Sequence, residues 1–417
     1  MISLIKLSYR NVLRNKKRTF LTFLAITIGI LAFLLSTTII NGIEKTTIRN
    51  LFDTTTPAIK IYNKEYFIDR NEIPLENLIV NPDSTIKQLK KENPNLKVAK
   101  RLKYRARLII SINETMCNVT GLDLTNDIGV FKVLNGIFTP DNNKKEILTQ
   151  LKEEPYTCLV GKTLLSDLEL NIGDEISLYT RTKNNVHNAL VYKIIGVVNT
   201  ENPEIDAFSV IMKIEDAISL GDTEGDVSEI NIFYHNTNEK ELQAIKAKIA
   251  QNLDNNLQIY TFTEQISDLL TFFGIRQKAQ QLIIIFLLIL AIAGITNTML
   301  MAVFERTKEI GTLAAIGMKD RKIILVFLFE GMIIGFIGGV FAIVISILPI
   351  TILSNFGINI SNSDLISNAP SKIYGYIDWY FFPLAVIIGM ITSALATLYP
   401  SIKATKLNIA LILRGNK

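Results

Sequence analysis

Residue types that carry out enzyme chemistry are sparse in this sequence, and their spacing is unfavourable. The two histidines, His187 and His235, are far apart and lack the spacing of metal ligands, so we expect neither a zinc site nor histidine-based catalysis. The triplet Gly161-Lys162-Thr163 resembles the end of a phosphate-binding loop, but Tyr156 stands where that loop requires glycine. The triplet therefore indicates the start of a helix. We predict no catalytic residue, no metal site and no cofactor bound by this chain.

The chain contains four long apolar stretches, and these elements are expected to position any functional site. They are residues 20–40, 282–304, 323–352 and 381–399, and the only charged residue within them is Glu330. At a rise of about 1.5 Å per residue, each is long enough to cross a hydrocarbon layer of about 30 Å. Lipid offers the backbone no hydrogen-bond partners, so these stretches are predicted to be transmembrane helices.

Basic residues are concentrated in three of the short segments that flank these stretches. They are Arg10, Arg14, Lys16, Lys17, Arg18, Arg306, Lys308, Lys319, Arg321, Lys322, Lys403, Lys406 and Arg414. By contrast, the loop 353–380 contains only one basic residue, Lys372. By the positive-inside rule, residues 1–19, 305–322 and 400–417 are cytoplasmic, and residues 41–281 lie outside a bacterial inner membrane. Residues 1–19 are predicted to form an amphipathic elbow helix on the membrane lipids of the inner leaflet.

The net charge of the chain is +5, which is modest for its length, and no nucleic-acid binding is expected.

The long polar segment 41–281 shows mixed periodicity. Strands are predicted at 58–62, 107–112, 175–179, 190–198, 208–212 and 229–234, and helices at 83–92, 162–168 and 239–253. Residues 44–52 and 262–281 are predicted to continue the first two spans outward as a rigid helical stalk. The predicted fold is a membrane protein with four transmembrane α-helices and a large α+β extracytoplasmic domain between helices 1 and 2.

Only two cysteines occur, Cys117 and Cys158, both in the segment predicted to be exported. A disulfide could persist there, but with so few cysteines we favour two free buried thiols.

The segment from Glu305 to Met318 is the most specific motif of the chain. On a helix, Ile310, Leu313, Ala314 and Gly317 would form one small apolar stripe, while Arg306, Lys308 and Glu309 would project elsewhere. Such a helix could dock into a groove of a partner, or it could lie in the headgroup layer as an amphipathic connector.

This segment resembles the signature Glu-Arg-Thr-x-Glu-Ile-Gly-x-Leu-x-Ala-x-Gly of the FtsX-like permease family. Residues 297–301, 329–331, 399–404 and 413–415 are similar to other segments of that family. Within the exported segment, residues 159–162, 171–175 and 194–197 resemble the periplasmic core domain of the MacB and LolC/LolE branch.

The resemblance implies a type VII ABC transporter permease, a dimer of four-span subunits without a pore. A cytoplasmic ABC ATPase dimer would use ATP and Mg²⁺, and long helices would transmit its movement to the exported domain. The residues implied to contact the ATPase are Glu305, Arg306, Glu309, Ile310, Gly311, Leu313, Ala314, Gly317 and Met318. Since no nucleotide-binding domain precedes the first span, we expect the ATPase to be a separate subunit.

The LolC/LolE branch implies extraction of lipoproteins from the inner membrane toward a periplasmic carrier. The second permease subunit could be identical or different. LolC-type subunits carry an extended hook that captures the carrier, whereas the corresponding residues 180–189 are short here, so a partner subunit is expected to capture it. Two alternatives remain: a MacB-like efflux mechanotransmitter, and an FtsX-like transmembrane activator of a cell-wall hydrolase.

Small residues recur every four positions in the last two spans. They are Gly331, Gly335 and Gly339 in the third span and Ala385, Gly389 and Ser393 in the fourth. Such faces allow close helix packing, either between subunits or within the chain. Glu330 lies about two turns inside the third span, where we expect it to snorkel to the cytoplasmic side or to pair with a neighbour such as Asn297.

Overall fold

The structure is a computed structural model that divides into two compact units. It describes residues 2–14, 16–92, 94, 96–110, 113–138, 144–200, 202–234, 238–359 and 372–406. His235, Arg414, residues 413–415 and parts of the predicted segments 107–112, 353–380 and 400–417 lie outside these ranges. The membrane unit comprises Met1–Glu44, Phe272–Ile358 and Ile373–Lys417, and the inserted unit comprises Lys45–Thr271 and Asn359–Lys372.

The helices and strands follow in chain order. The helices are α1 Ile2–Arg14, α2 Lys16–Thr54, α3 Lys64–Ile68, α4 Pro82–Glu92, α5 Lys144–Glu153, α6 Lys162–Asp167, α7 Pro203–Phe208, α8 Ile214–Gly221, α9 Glu239–Ala250, α10 Phe262–Gln265, α11 Ser267–Glu305, α12 Thr307–Ala315, α13 Asp320–Phe356 and α14 Phe381–Thr405. The strands are β1 Ile59–Asn63, β2 Lys97–Ile110, β3 Asn113–Leu122, β4 Ile137–Phe138, β5 Thr157–Gly161, β6 Glu175–Arg181, β7 His187–Val198, β8 Ser209–Lys213, β9 Glu229–Phe233, β10 Leu257–Thr261, β11 Ile358–Asn359 and β12 Lys372–Ile373.

The predicted fold class is confirmed. Among the described residues, four helices are long and apolar enough to cross a membrane, namely α2, α11, α13 and α14. Most of the inserted unit follows α2 and precedes α11 in the chain, and it contains both helices and strands.

The membrane helices are longer than the predicted spans. The helix α2 continues without a break to Thr54, and α11 is one helix from Ser267. The outward helix predicted at 262–281 is instead interrupted at Ile266, because a capping box of Thr261 and Glu264 starts the separate short helix α10. The third span also extends beyond residue 352, because α13 continues through Pro349 to Phe356, and membrane helices tolerate such a proline.

The small residues of the last two spans pack against each other within the chain. A methyl group on Gly335 would lie 2.5 Å from the backbone oxygen of Gly389, and one on Gly331 would lie 2.7 Å from Thr397 Cγ2. A methyl group on Gly339 would lie 3.0 Å from Val386 Cα. Ala385 and Ser393 are also fully buried. These glycines therefore allow the backbones of α13 and α14 to approach closely.

The inserted unit is built on one ten-stranded sheet. Its order is β10-β1-β9-β2-β3-β8-β5-β7-β4, and β6 pairs with both β2 and β7. The pairs β3–β8 and β5–β7 are parallel, whereas the other pairs are antiparallel. Cys117 on β3 and Cys158 on β5 are free and buried, as favoured from the sequence.

The connection that was predicted at 180–189 is shorter in the structure than in the sequence prediction. The strands β6 and β7 form a hairpin in which Thr180 faces Asn188 and Arg181 faces His187. Only residues 182–186 therefore connect the two strands, because alternating side chains extend the pairing beyond the predicted loop ends.

Candidate functional site

The motif at 305–318 does not form a single helix. Glu305 is the last residue of α11, and Arg306 has φ −103° and ψ 18°, outside the helical region, before α12 begins at Thr307. At the other end, Gly317 has φ +91°, a conformation that favours glycine, so the chain turns there toward α13. Met318 and Gly317 thus lie in the turn after α12.

The apolar stripe of α12 packs against its own chain. Ile310 is buried in a cluster with Val303, Ile323, Phe327 and Ala404. Gly311 is also buried, and Leu313, Ala314 and Met318 are half-buried. Ile310 therefore packs α12 against its own chain, and neither Ile310 nor Gly311, both predicted to contact the ATPase, is exposed.

Arg306, which was predicted to project away from the apolar stripe and to contact the ATPase, is buried. Its Nη1 lies 3.3 Å from Oε2 of Glu330, and its Nη2 donates to the backbone oxygen of Asn11 at 3.1 Å. Only 5% of the Arg306 side chain and none of Glu330 is exposed. Glu330 thus pairs with Arg306, and this charged partner offsets the cost of burying a carboxylate.

A second ion pair joins α12 to the N-terminal helix. Arg14 at the end of α1 pairs with Glu309 in the first turn of α12, and both side chains are about half exposed. Ser8 of α1 also donates to the backbone oxygen of Val326 at 2.9 Å, which ties α1 to α13. Together with the Arg306 contacts, these bonds connect α1, α12 and α13.

The exposed surface of this region contains one residue that the sequence analysis missed. Ile316, directly after α12, is 80% exposed, and Glu305, Lys308 and Gly317 are exposed as well. A large apolar side chain that is exposed in the turn between α12 and α13 is suited to bind in a pocket of a partner protein. The only sequence signal for it was its position before Gly317.

In the inserted unit, the end of α2 is held by a buried arginine. Arg101 on β2 donates from Nε and Nη2 to the two carboxylate oxygens of Asp127, at 2.6 and 2.9 Å. Its Nη1 donates to the backbone oxygen of Thr54, the last residue of α2, at 2.9 Å. The guanidinium also lies 3.4 Å from the ring centroid of Phe131. This bidentate, stacked arrangement is one that arginine makes and lysine cannot.

Two further residues attach the same helix end. The Lys132 ammonium lies 2.8 Å from Asp53 Oδ1, and its backbone nitrogen donates to the Asp53 oxygen at 2.7 Å. The Asn202 amide donates to Thr54 Oγ1 at 3.1 Å. We define Asp53, Thr54, Arg101, Asp127, Lys132 and Asn202 as the α2 anchor. These partners are distant in sequence, so no sequence pattern indicated them.

Among the residues that the structure describes, no group of three or more His, Cys, Asp or Glu side chains is arranged to hold a metal ion.

Two protein-family models match the chain. Residues 19–252, more than half of the chain, match the MacB-like periplasmic core domain. Residues 282–409 match the FtsX-like permease C-terminal family.

The chain is also similar to individual proteins. The chain is 26% identical to the lipoprotein-releasing system transmembrane protein LolC of Buchnera aphidicola, over 95% of this chain and 93% of LolC. It is 25% identical to the macrolide export ATP-binding/permease protein MacB of Aggregatibacter actinomycetemcomitans, over 83% of this chain but only 52% of MacB. The crystal structure of the periplasmic region of MacB from Actinobacillus actinomycetemcomitans matches with 14% identity and a TM-score of 0.33, covering 56% of this chain and 98% of that region.

Proposed function

This chain belongs to the family of FtsX-like permeases with a MacB-like periplasmic core domain, and on that premise we propose that it drives lipoprotein extraction from the inner membrane. It is a multi-pass membrane protein and an ABC transporter permease of the LolC/MacB type. A cytoplasmic ATPase dimer hydrolyses ATP with Mg²⁺, and a second permease subunit completes the transporter.

One observation supports lipoprotein release over other substrates. The similarity to LolC extends over nearly the full length of both chains, whereas the similarity to MacB covers about half of that protein. Efflux of the MacB kind is the second candidate, favoured by the match of residues 19–252 to the MacB-like core domain. Because residues 182–186 form only a short turn, a partner subunit is proposed to capture any periplasmic carrier.

The proposed mechanism is mechanical. With both termini and α12 on the cytoplasmic side, the ATPase binds the exposed tip at Ile316 and the neighbouring Lys308 and Glu305. Closure of the ATPase dimer displaces α12, and the Arg14–Glu309 and Arg306–Glu330 pairs pass this movement to α1 and α13. The movement reaches the inserted unit along α2, whose end the α2 anchor holds.

Replacing Ile316 with glutamate tests the ATPase contact. Because Ile316 is 80% exposed, the substitution leaves the fold intact but places a charge in the proposed apolar contact. We expect at least a tenfold loss of ATPase co-purification and of transport.

The matched control is Ile68→Glu, the same substitution at a position that is 76% exposed in the inserted unit. It should leave ATPase binding unchanged. Normal ATPase binding by the Ile316 variant would refute the contact, and equal losses in both variants would attribute the effect to the added charge.

A further inference from the structure

The strand β2 carries a row of cations on one face of the sheet. Arg101, Lys103, Arg105 and Arg107 alternate with Leu102, Tyr104, Ala106 and Leu108, which are all buried in the main core of the inserted unit. Side chains alternate between the faces of a strand, so the four cations share one face. A second buried cluster that includes Ala99, Leu122 and Ile211 covers part of this basic face, and Arg101 and Lys103 line a cavity on the rest of it.

A cavity of about 370 Å³ lies over this face, within the inserted unit. Its walls include Lys60 of β1, Arg101 and Lys103 of β2 and Glu229 of β9. Tyr62, Tyr66 and Phe67 add aromatic surface to the same wall. The cavity thus combines cations with aromatic rings.

Two lysines share one carboxylate in this wall. The Lys60 ammonium lies 2.8 Å from Glu229 Oε2, and the Lys103 ammonium lies 3.1 Å from Oε1. Tyr62 and Asn231 also donate to Glu229, each at 3.2 Å, so that both carboxylate oxygens have partners. The exposed side-chain fractions are 4% for Lys60, 3% for Glu229 and 18% for Lys103.

The buried charges of this wall do not balance. Asp127 neutralises Arg101, and Glu229 neutralises only one of the two lysines. Asp268 pairs with Arg70 at 3.0 Å, and the other lining carboxylate, Glu204, is exposed, where solvent screens its charge. Among the described residues that line the cavity, one partly buried positive charge therefore exceeds the buried negative charges, and burying it is costly without a counter-ion.

The pKa of Lys60 also reflects the positive charges that surround it. Burial lowers the pKa of Lys60 to about 7, with Lys103 and Arg101 acting in the same direction and Glu229 opposing them. A bound anion would offset the effect of Lys103 and Arg101.

A second cavity of about 410 Å³ adjoins the first. Leu51, Glu204 and Leu269 line both cavities, and Pro203 and Phe208 give the second one an apolar wall. A ligand with a charged group in the first cavity can therefore extend an apolar part into the second.

We propose that this pair of cavities binds an anionic amphiphile, with its phosphate or carboxylate group at Lys103 and Lys60 and its apolar part beside Leu51, Phe208 and Leu269. The cations attract the oxyanion, and the apolar wall gains free energy from burying the chain. This site is independent of the proposed ATPase contact.

Thiol labelling of the full-length protein in dodecyl maltoside tests the proposal. The only two cysteines, Cys117 and Cys158, are buried in the inserted unit, so their labelling rate reports its opening. A ligand that binds the closed form slows labelling by a factor of about 1 + [L]/Kd. We expect dodecyl phosphate, added below its micellar concentration, to slow labelling at least tenfold.

Three variants of β2 identify the site. Lys103→Met removes the surplus charge but keeps the Lys60–Glu229 pair, so it should abolish protection while the labelling rate without ligand stays similar. Lys103→Arg should retain protection. Lys100→Met, three positions away and on the opposite face of the strand, where Lys100 pairs with Asp83, should retain protection too.

The outcomes separate the parts of the proposal. Equal protection by inorganic phosphate would support the oxyanion site and overturn the apolar part. Protection that survives Lys103→Met, or no protection by dodecyl phosphate, would overturn the whole proposal. None of these results depends on ATPase binding or lipoprotein release.

Discussion

Replacing Asp127 with alanine is expected to destabilise the inserted unit by about 3–5 kcal/mol, because it leaves the Arg101 guanidinium buried without its carboxylate. The side chain of Arg101 is only 2% exposed and that of Asp127 is fully buried, so solvent cannot replace the lost partner. Burial also raises the pKa of the Cys117 thiol to about 12, which keeps it unreactive in the folded unit. Labelling of Cys117 and Cys158 should accelerate by a factor of roughly 10² to 4 × 10³, since each 1.4 kcal/mol is a factor of about ten.

The control for this prediction breaks an exposed ion pair with the same substitution. Asp83→Ala removes the partner of Lys100, but the Asp83 side chain is 68% exposed, and such pairs contribute about 1 kcal/mol or less. Its labelling rate should stay within about tenfold of the parent protein. If Asp127→Ala behaves like Asp83→Ala, Arg101 does not hold the end of α2 as described.

Replacing Arg306 with methionine is expected to destabilise the membrane unit by about 3–5 kcal/mol. The change leaves the carboxylate of Glu330, which is fully buried in α13, without its charged partner. It also removes the bond to the Asn11 backbone that ties α1 to the start of α12. The measurement is the temperature at which half of the detergent-solubilised protein leaves the monodisperse peak in size-exclusion chromatography.

The double variant Arg306→Met/Glu330→Leu separates the pair from other effects. Removing both charges eliminates the unpaired carboxylate, so most of the lost stability should return. ATPase coupling should nevertheless stay low, because α12 is no longer tied to α13 through this pair. Equal destabilisation in the single and double variants would show that Glu330 and Arg306 are not energetically coupled.

Local patterns in the sequence were sufficient to predict the architecture. The membrane helices follow from long uncharged stretches, and strands such as β7 follow from alternating apolar residues. The strands β3 and β5 were missed, because β3 mixes polar and small residues while β5 is buried along its whole length and shows no alternation. Their places in the sheet depend on distant partners.

The functional residues were less accessible to sequence reasoning. The motif at 305–318 indicated the proposed coupling region, but periodicity could not show which of its faces is exposed. The burial of Arg306 was not predicted, because its partner Glu330 lies on another helix and charged residues are rarely buried. The exposure of Ile316 was not predicted either, because large apolar residues are rarely this exposed. The α2 anchor depends on contacts between residues far apart in the chain.

The central claim is that ATP hydrolysis is transmitted mechanically through this chain to a lipoprotein. The most direct measurement is the ATPase rate of the reconstituted transporter in proteoliposomes, with and without a triacylated lipoprotein, together with the amount of lipoprotein released into solution. We predict that lipoprotein raises the ATPase rate, that its release requires ATP and Mg²⁺, and that Ile316→Glu abolishes both effects. An ATPase rate that ignores lipoprotein but rises with a macrolide would contradict this account.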